Sequence, residues 1–379
     1  MRPNRLAEAL AGRRKGGEPI LDLTESNPTR CGFPVLEREI LGAIGTEKAL
    51  IYEPDPRGLE PARRAVASIY REKGAAISQD SILLTASTSE AYAYLFRLLA
   101  DTGDTVLVPA PSYPLFDYLS RLSDVTLESY RLLEEDRFRI DMESLAEAAP
   151  RARAVLVVSP GNPTGAYLGR DEREGIVEIC ERRGLALISD EVFSDYALAP
   201  AEGSVPTLAG EERVLTFALN GISKMLALPQ MKLGWIAASG PASLLAEAMG
   251  KLELIADTYL SVGAPVQAAA PALLGLRERI QAPILARLRA NRDVLLEILA
   301  SPSAARAMSP EGGWSAVIRV PSTRTDEAWA LRLLEEDGVH VHPGFFYDFP
   351  SDGRLVVSLL PEEETFRTGV LRIAARVAG

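Results

Sequence analysis

Two cysteines and two histidines are all that 379 residues supply. Cys31 and Cys180 stand far apart with no CxxC pair, which points to a reducing compartment and excludes a zinc cluster built from cysteines. His340 and His342 are too few for a His-rich metal centre and leave little material for a Ser-His-Asp triad, so no metal is expected. Long apolar runs are missing as well: no window approaches the roughly 18 apolar residues of a membrane span. Positive charge is short, with 41 Lys and Arg against 52 Asp and Glu and a formal net charge of −11. That balance argues against a nucleic-acid surface, which needs a clustered basic face. Neither GxGxxG nor GxxxxGK[ST] occurs, so dinucleotide and nucleoside-triphosphate sites lack their fingerprint. The segment Asn4 to Lys15 places Arg5, Arg13 and Arg14 on a helical pattern, but Glu8 and the lack of a Ser-rich run argue against a transit peptide. No signal-peptide core is present, and a cytoplasmic location is expected.

What is there is an ordinary globular composition, 47% apolar and 25% charged, long enough for two domains. Apolar, β-branched runs alternate with helical stretches, the pattern of a sheet with crossover helices. Strands are expected at Ser81–Thr85, Thr105–Val108, Ala154–Ser159, Ala186–Ser189, Leu215–Ala218 and Leu233–Ala238, with helices such as Leu59–Lys73, Ser89–Ala100 and Asp171–Arg183 between them. From Leu244 to Leu299 the pattern is helical, ending in a long helix from about Gln281. The C-terminal part reads as a small α+β unit: strand Trp314–Val320, helix Asp326–Asp337, strands Val339–His342 and Arg354–Leu359, helix Glu362–Val377.

Chemistry is expected in the loops after strands. Ser87 with Glu90 three residues on fits a capping box, and the helix start it opens either serves as a plain cap or holds a phosphate on Ser87, Thr88 and Ser89. Two prolines and two glycines in Ser159–Gly165 present Asn162 on a rigid platform. Asp190-Glu191 ends an apolar strand; such an acid pair needs a cationic or hydrogen-bonding partner, binds magnesium or caps the next helix. Lys224, after Ser223 and among apolar residues, has the setting that lowers an amine pKa and allows a Schiff base with a carbonyl. With Asp190 and no histidine or cysteine near either, it favours an organic cofactor over a metal.

Taken in order, Tyr52…Gly58, Thr85–Glu90, Pro111-Ser112-Tyr113, Ser159–Gly165, Asp190-Glu191-Val192, Ser223-Lys224, Lys232-Leu233-Gly234 and Arg354 resemble the fold-type-I pyridoxal-phosphate aminotransferases of class I/II, the aspartate aminotransferase superfamily. The resemblance spans about residues 20 to 360. It implies an α/β large domain with a mostly parallel seven-stranded sheet, a small α+β domain, and a homodimer with its sites at the interface. The implied division is an N-terminal arm with part of the small domain (1–45), the cofactor domain (46–275), and an interdomain helix with the small domain (276–379). Lys224 would form the internal aldimine with pyridoxal 5'-phosphate and shuttle a proton, Asp190 would pair with the ring nitrogen, Asn162 would donate to O3′, and Tyr113 would stack on the ring. Ser87, Thr88, Ser89, Ser223 and Lys232 would cradle the phosphate, joined by Tyr52 of the neighbouring subunit. Arg354 would take the substrate carboxylate as a fork, and Asn27 lies where the N-terminal segment closes over the substrate. The implied reaction moves an amino group between an L-amino acid and a 2-oxo acid by a ping-pong route. A C–S β-lyase, decarboxylase or oxidase on the same scaffold is the alternative. A ligand-sensing regulator is disfavoured by the acidic chain and the short stretch ahead of the match.

Three positions depart from the family pattern. Phe193 stands where a Tyr usually donates to O3′, with Tyr196 as a possible substitute; Lys232 replaces the phosphate Arg; Ser87 replaces a common Gly. No Arg or Lys occurs from Leu252 to Leu276, a segment that carries a dicarboxylate-reading Arg in some relatives. The aromatics of His342–Tyr347, expected over the substrate pocket, suit an alanine-like, branched or aromatic donor. Without the Tyr hydroxyl the Schiff-base nitrogen should titrate at higher pH than in relatives, so Phe193→Tyr is expected to lower that pKa in a spectrophotometric titration.

Overall fold

Runs such as Ala-Val-Leu-Val-Val and Phe-Ala-Leu lack polar alternation, so strands made from them must be covered on both faces. The computed structural model, which describes residues 4–300 and 303–379, covers them so. In chain order the strands are β1 (Leu21–Asp22), β2 (Ile82–Thr85), β3 (Thr105–Ala110), β4 (Thr126–Glu134), β5 (Phe138–Ile140), β6 (Ala152–Val158) and β7 (Ala186–Asp190). They continue with β8 (Thr216–Gly221), β9 (Gly234–Ser239), β10 (Arg306–Ala307), β11 (Ser315–Arg319), β12 (Val339–His340), β13 (His342–Pro343) and β14 (Arg354–Ser358). The large sheet runs β2-β9-β8-β7-β6-β3-β4-β5. Its centre, from β8 through β4, is parallel, and β9 and β2 are antiparallel at one edge.

Every residue of β7, β8 and β9 is buried. Leu156, Ile188, Phe217 and Leu219 face helices Thr88–Leu99 and Ala242–Asp257, while Val155, Val157 and Leu187 face helices Met142–Ala148 and Arg170–Arg183. Each such aliphatic side chain contributes about 1.5–3 kcal/mol by leaving water. The expected seven-stranded sheet gains an eighth, hairpin strand in β5, which pairs antiparallel with β4. The sequence reading omits β4 and β5 because edge strands need no apolar run: in β4 only Tyr130 is buried, and its hydroxyl donates to the Leu156 carbonyl at 2.8 Å.

The smaller sheet runs β10-β11-β14-β13, antiparallel, backed by helices Asp326–Asp337 and Glu363–Ala378. The single strand expected over Val339–His342 divides: β12 pairs in parallel with β1 from the N-terminal segment, and β13 turns to β14. The long helix begins at Arg277, earlier than the expected Gln281, and contains Pro283. Among the described residues no helix is long and apolar enough to cross a membrane.

Gly165 joins the two sheets' loops. Its carbonyl accepts from Glu311 N–H at 3.1 Å and Gly312 N–H at 2.9 Å, and its φ of +70° is left-handed. A Cβ there would lie 2.6 Å from Pro310 Cβ and 2.9 Å from the Gly312 carbonyl. Gly165→Ala is therefore expected to cost about 2–4 kcal/mol, from left-handed strain plus overpacking, read as a lowered denaturation midpoint.

Candidate active site

The loops leaving β6, β7 and β8 open into one cavity of about 470 Å³. Ser87, Thr88, Ser89, Tyr113, Asn162, Asp190, Ser223, Lys224 and Lys232 all line it, although they are spread over 146 positions of chain from 87 to 232. β7 delivers Asp190. Its carboxylate accepts from the Tyr92 hydroxyl at 2.5 Å and from Val192 N–H at 3.1 Å. Burial raises its pKa, outweighing those two donors and the charge of Lys224. Glu191, the other half of the acid pair, turns away into the fold, where it accepts from Ser189, Thr207 and the Leu208 amide.

Lys224 sits on a single helical turn, Ile222–Met225, straight after β8. Its carbonyl accepts from Tyr196 at 2.7 Å, and the next carbonyl, of Met225, accepts from Gln281 at 2.9 Å. Tyr196 therefore fixes the lysine's backbone and does not substitute for the hydroxyl missing at Phe193. Lys224 Nζ lies 5.2 Å from the Trp314 ring centroid and 5.8 Å from that of Phe193. Burial lowers its pKa; the Asp190 charge acts the other way and is the weaker influence.

The helix Thr88–Leu99 starts at Ser87, whose Oγ accepts from Glu90 N–H at 3.2 Å. The reciprocal half of the expected capping box is shifted by one residue: Glu90 accepts from Ala86 N–H at 2.7 Å and from the Ser261 hydroxyl at 2.6 Å. The helix start, at one end of the cavity, offers first-turn amides and three hydroxyls and shares its lining with Ser223 and Lys232, a set suited to a phosphate. Gly234 keeps this end open, since a Cβ there would crowd Ser87 at 3.1 Å and Thr85 Oγ1 at 3.2 Å. A buried carboxylate without a cation in contact, an amine depressed by burial and an anion cradle together fit pyridoxal phosphate. The volume suits it also, as small-molecule sites run to about 300–1,000 Å³.

Three of the sequence-predicted site residues lie elsewhere. Arg354 does not reach the cavity: its Nε donates to Glu134 of β4 at 2.8 Å and its Nη1 to the Gly353 carbonyl at 3.1 Å, so its charge is already matched. Asn27 spends its side-chain oxygen capping Thr29, at 3.1 Å to the amide and 2.7 Å to the hydroxyl, and the neighbouring Ser26 lines the cavity instead. Tyr52 lines a separate cleft with Gly263 and Gln267 and is 79% exposed.

The sequence reading missed Tyr92 and Trp314. Tyr92 follows Thr88 by four residues, one helical turn, a spacing that places both on one face. Trp314 is announced by Gly312-Gly313, where the chain passes close to Tyr167 and Tyr196. Trp314 packs edge-on against Phe193 and Tyr196, and its buried indole N–H has no partner, a loss of about 1–3 kcal/mol when left unmet. Of the expected aromatic loop, His342, Phe346 and Tyr347 line the cavity. Burial, and next to it His340, push His342 down to about 4, so it is neutral at pH 7.

Because Asp190 props up the Lys224 pKa, removing its charge should lower that pKa further. In the cofactor-free protein, pH-dependent acylation followed by peptide mass spectrometry is expected to give Lys224 a midpoint below the ordinary lysine value, and a lower one still in Asp190→Asn.

The chain is 26% identical to the glutamate–pyruvate aminotransferase AlaA of Escherichia coli over 96% of its own length and 91% of the relative's. It is 29% identical to the arginine–pyruvate transaminase AruH of Pseudomonas aeruginosa, over 97% and 92%. Its fold superposes on an alanine aminotransferase of Pyrococcus furiosus with a TM-score of 0.89, at 24% identity and with all of both chains covered. The model of the family described as aminotransferase class I and II matches residues 21–368. The chain therefore belongs to the class I and II aminotransferases, and it is a pyridoxal-phosphate enzyme that moves an amino group between an amino acid and a 2-oxo acid.

Proposed function

We propose that Lys224 is the covalent anchor of pyridoxal phosphate and moves the proton at the donor's Cα. The observation that carries this reading is the Lys224 amine, depressed by burial and facing buried Asp190 in a cavity with an anion cradle at one end. When bound, pyridoxal phosphate supplies a carbonyl that captures amines and a ring that takes up the electron pair of the breaking bond. An amine that burial shifts toward neutrality can accept the Cα proton and return it. Asp190, held by Tyr92 and Val192, balances a protonated ring nitrogen. We assign Asn162 to O3′ and to the substrate, Tyr113 to the ring face, and Ser87, Thr88, Ser89, Ser223 and Lys232 to the phosphate.

We also infer a homodimer and the division into segments 1–45, 46–275 and 276–379. Leu50, Ile51 and Tyr52 are 88%, 58% and 79% exposed in succession, and a cluster of that kind argues for cover by a second copy. Tyr52 would then reach the phosphate of the partner. The pairing of β1 with β12 supports placing the N-terminal segment with the small domain. Pyruvate is our choice of acceptor, since two relatives carry it in their names and the walls formed by Phe193, Trp314 and Phe346 suit a small apolar side chain.

Mixing the yellow, cofactor-loaded enzyme with a panel of amino acids tests this reading. L-Alanine is expected to bleach the visible band with stoichiometric formation of pyridoxamine phosphate. Lys224→Ala should lack that band and lose about 10²–10⁴-fold or more in turnover. Catalytic release of pyruvate and ammonia without a 2-oxo acid would instead establish elimination.

A further inference from the structure

Asp190 and Lys224 stand at the ends of neighbouring strands that part just beyond them. β7 and β8 pair as far as Asp190 and Leu219, and Glu191 N–H still donates to the Leu219 carbonyl at 2.9 Å. Past that rung one segment enters the turn 191–196. The other leans toward β9, where Ile222 N–H donates to the Leu233 carbonyl at 3.0 Å. Asn220, 1% exposed, spans the opening. Its Nδ2 donates to the Glu191 carbonyl at 2.9 Å and lies 3.4 Å from Ser194 Oγ, while its Oδ1 accepts from Gly221 N–H at 2.7 Å. A carbonyl only accepts and an amide N–H only donates, so this side chain fits in one orientation.

The same two segments are joined again at their far ends, where the Tyr196 hydroxyl donates to the Lys224 carbonyl at 2.7 Å. Segments 191–196 and 220–224 thus close a ring, with Asp190 at one entry and Lys224 at one exit. The turn is stiff, because Ser194 N–H donates to the Glu191 carbonyl at 3.0 Å and Tyr196 N–H to that of Phe193 at 2.9 Å. Lys73 holds Ser194 Oγ at 2.7 Å and the Tyr167 hydroxyl holds the Ser194 carbonyl at 2.9 Å, but both come from other elements. Beyond the last rung, the span between the two segments is left to Asn220 and Tyr196.

We propose that Asn220 is a positioning residue whose side-chain amide closes this ring and so keeps the Lys224 amine apart from the Asp190 carboxylate. The value of that gap to the reaction rests on Lys224 being the anchor, as proposed above. Opposite charges in a buried site attract, so without the amide the loosened segments draw together and an ion pair forms. Among the described residues, Asp190 is the one charged group that bears on the Lys224 amine. The cavity's other titratable groups are Tyr92, Tyr113 and Tyr347, kept neutral by burial, the neutral His342, and Lys232 at the anion cradle. A closer carboxylate favours the charged amine, so closure raises the pH at which Lys224 loses its proton. Water entering a loosened site raises it as well, but does so whether or not Asp190 is charged.

That difference supplies the test, a double-mutant cycle read by pH-dependent acylation of Lys224 in the cofactor-free protein. Asn220→Ala should raise the Lys224 midpoint by about one pH unit, and the rise should vanish in the Asp190→Asn background. An equal rise in both backgrounds would show that water enters and the charges do not close, and it would overturn the proposal. An unchanged midpoint would overturn it too. Tyr196→Phe cuts the ring at its other end while keeping the aromatic packing on Trp314, and it should move the midpoint the same way. If Asn220→Ala does not fold, Tyr196→Phe decides, and an unmoved midpoint there overturns the ring. In the cofactor-loaded enzyme, Asn220→Ala should keep the visible band and lose about ten- to hundredfold in turnover of L-alanine; full turnover with a raised midpoint would overturn the importance of the gap. The acylation needs no cofactor, so it decides the ring even if Lys224→Ala keeps the visible band and the anchor reading fails.

Discussion

Everything at this site depends on two opposite charges being buried near each other without forming a pair. Asp190 is raised by burial and Lys224 is lowered by it, and among the described residues no ion pair within 4.0 Å relieves either. A direct salt bridge would neutralise both and hold the amine protonated. In the proposed reading, separation would leave the carboxylate available to a cationic ring nitrogen and the amine available as a nucleophile. The cost is desolvation of two charged groups, and the hydrogen bonds from Tyr92 and Val192 offset part of it on the Asp190 side.

Maintaining that separation requires stiff supports. The parallel centre of the large sheet sets the ends of β6, β7 and β8 side by side, which fixes Asn162, Asp190 and Lys224 at adjacent corners. Around Lys224 the backbone carbonyls are tied from two directions, by Tyr196 and by Gln281 of the long helix. The Asn162 loop is clasped in turn by the amides of Glu311 and Gly312, just ahead of Trp314. Arg319 and Arg354 on neighbouring strands of the small sheet both meet Glu134 of β4, adding an electrostatic tie between the two sheets. An arginine expected to read the substrate is thus part of the frame.

The sequence alone determined the fold class and the cofactor, and it singled out Lys224 as the residue we propose for the anchor. Unbroken apolar runs mean strands covered on both faces, and the Asn-Pro-Thr-Gly loop, the Asp-Glu pair and the Ser-Lys pair each stand at or just after the end of one of those strands. Local physics is enough for such features: a proline-bound loop, a helix cap or a buried strand is recognisable within a few residues. Tertiary structure decided what touches what. Which of Asp190 and Glu191 faces the cavity depends on the pleat and on the partners waiting at Ser189, Thr207 and Leu208. Whether Arg354 is free depends on Glu134, 220 residues away in sequence, and Tyr92 and Trp314 acquire their places from packing across the sheets. A charge in the sequence carries no record of its counter-charge, and only the folded chain shows whether it is already spent.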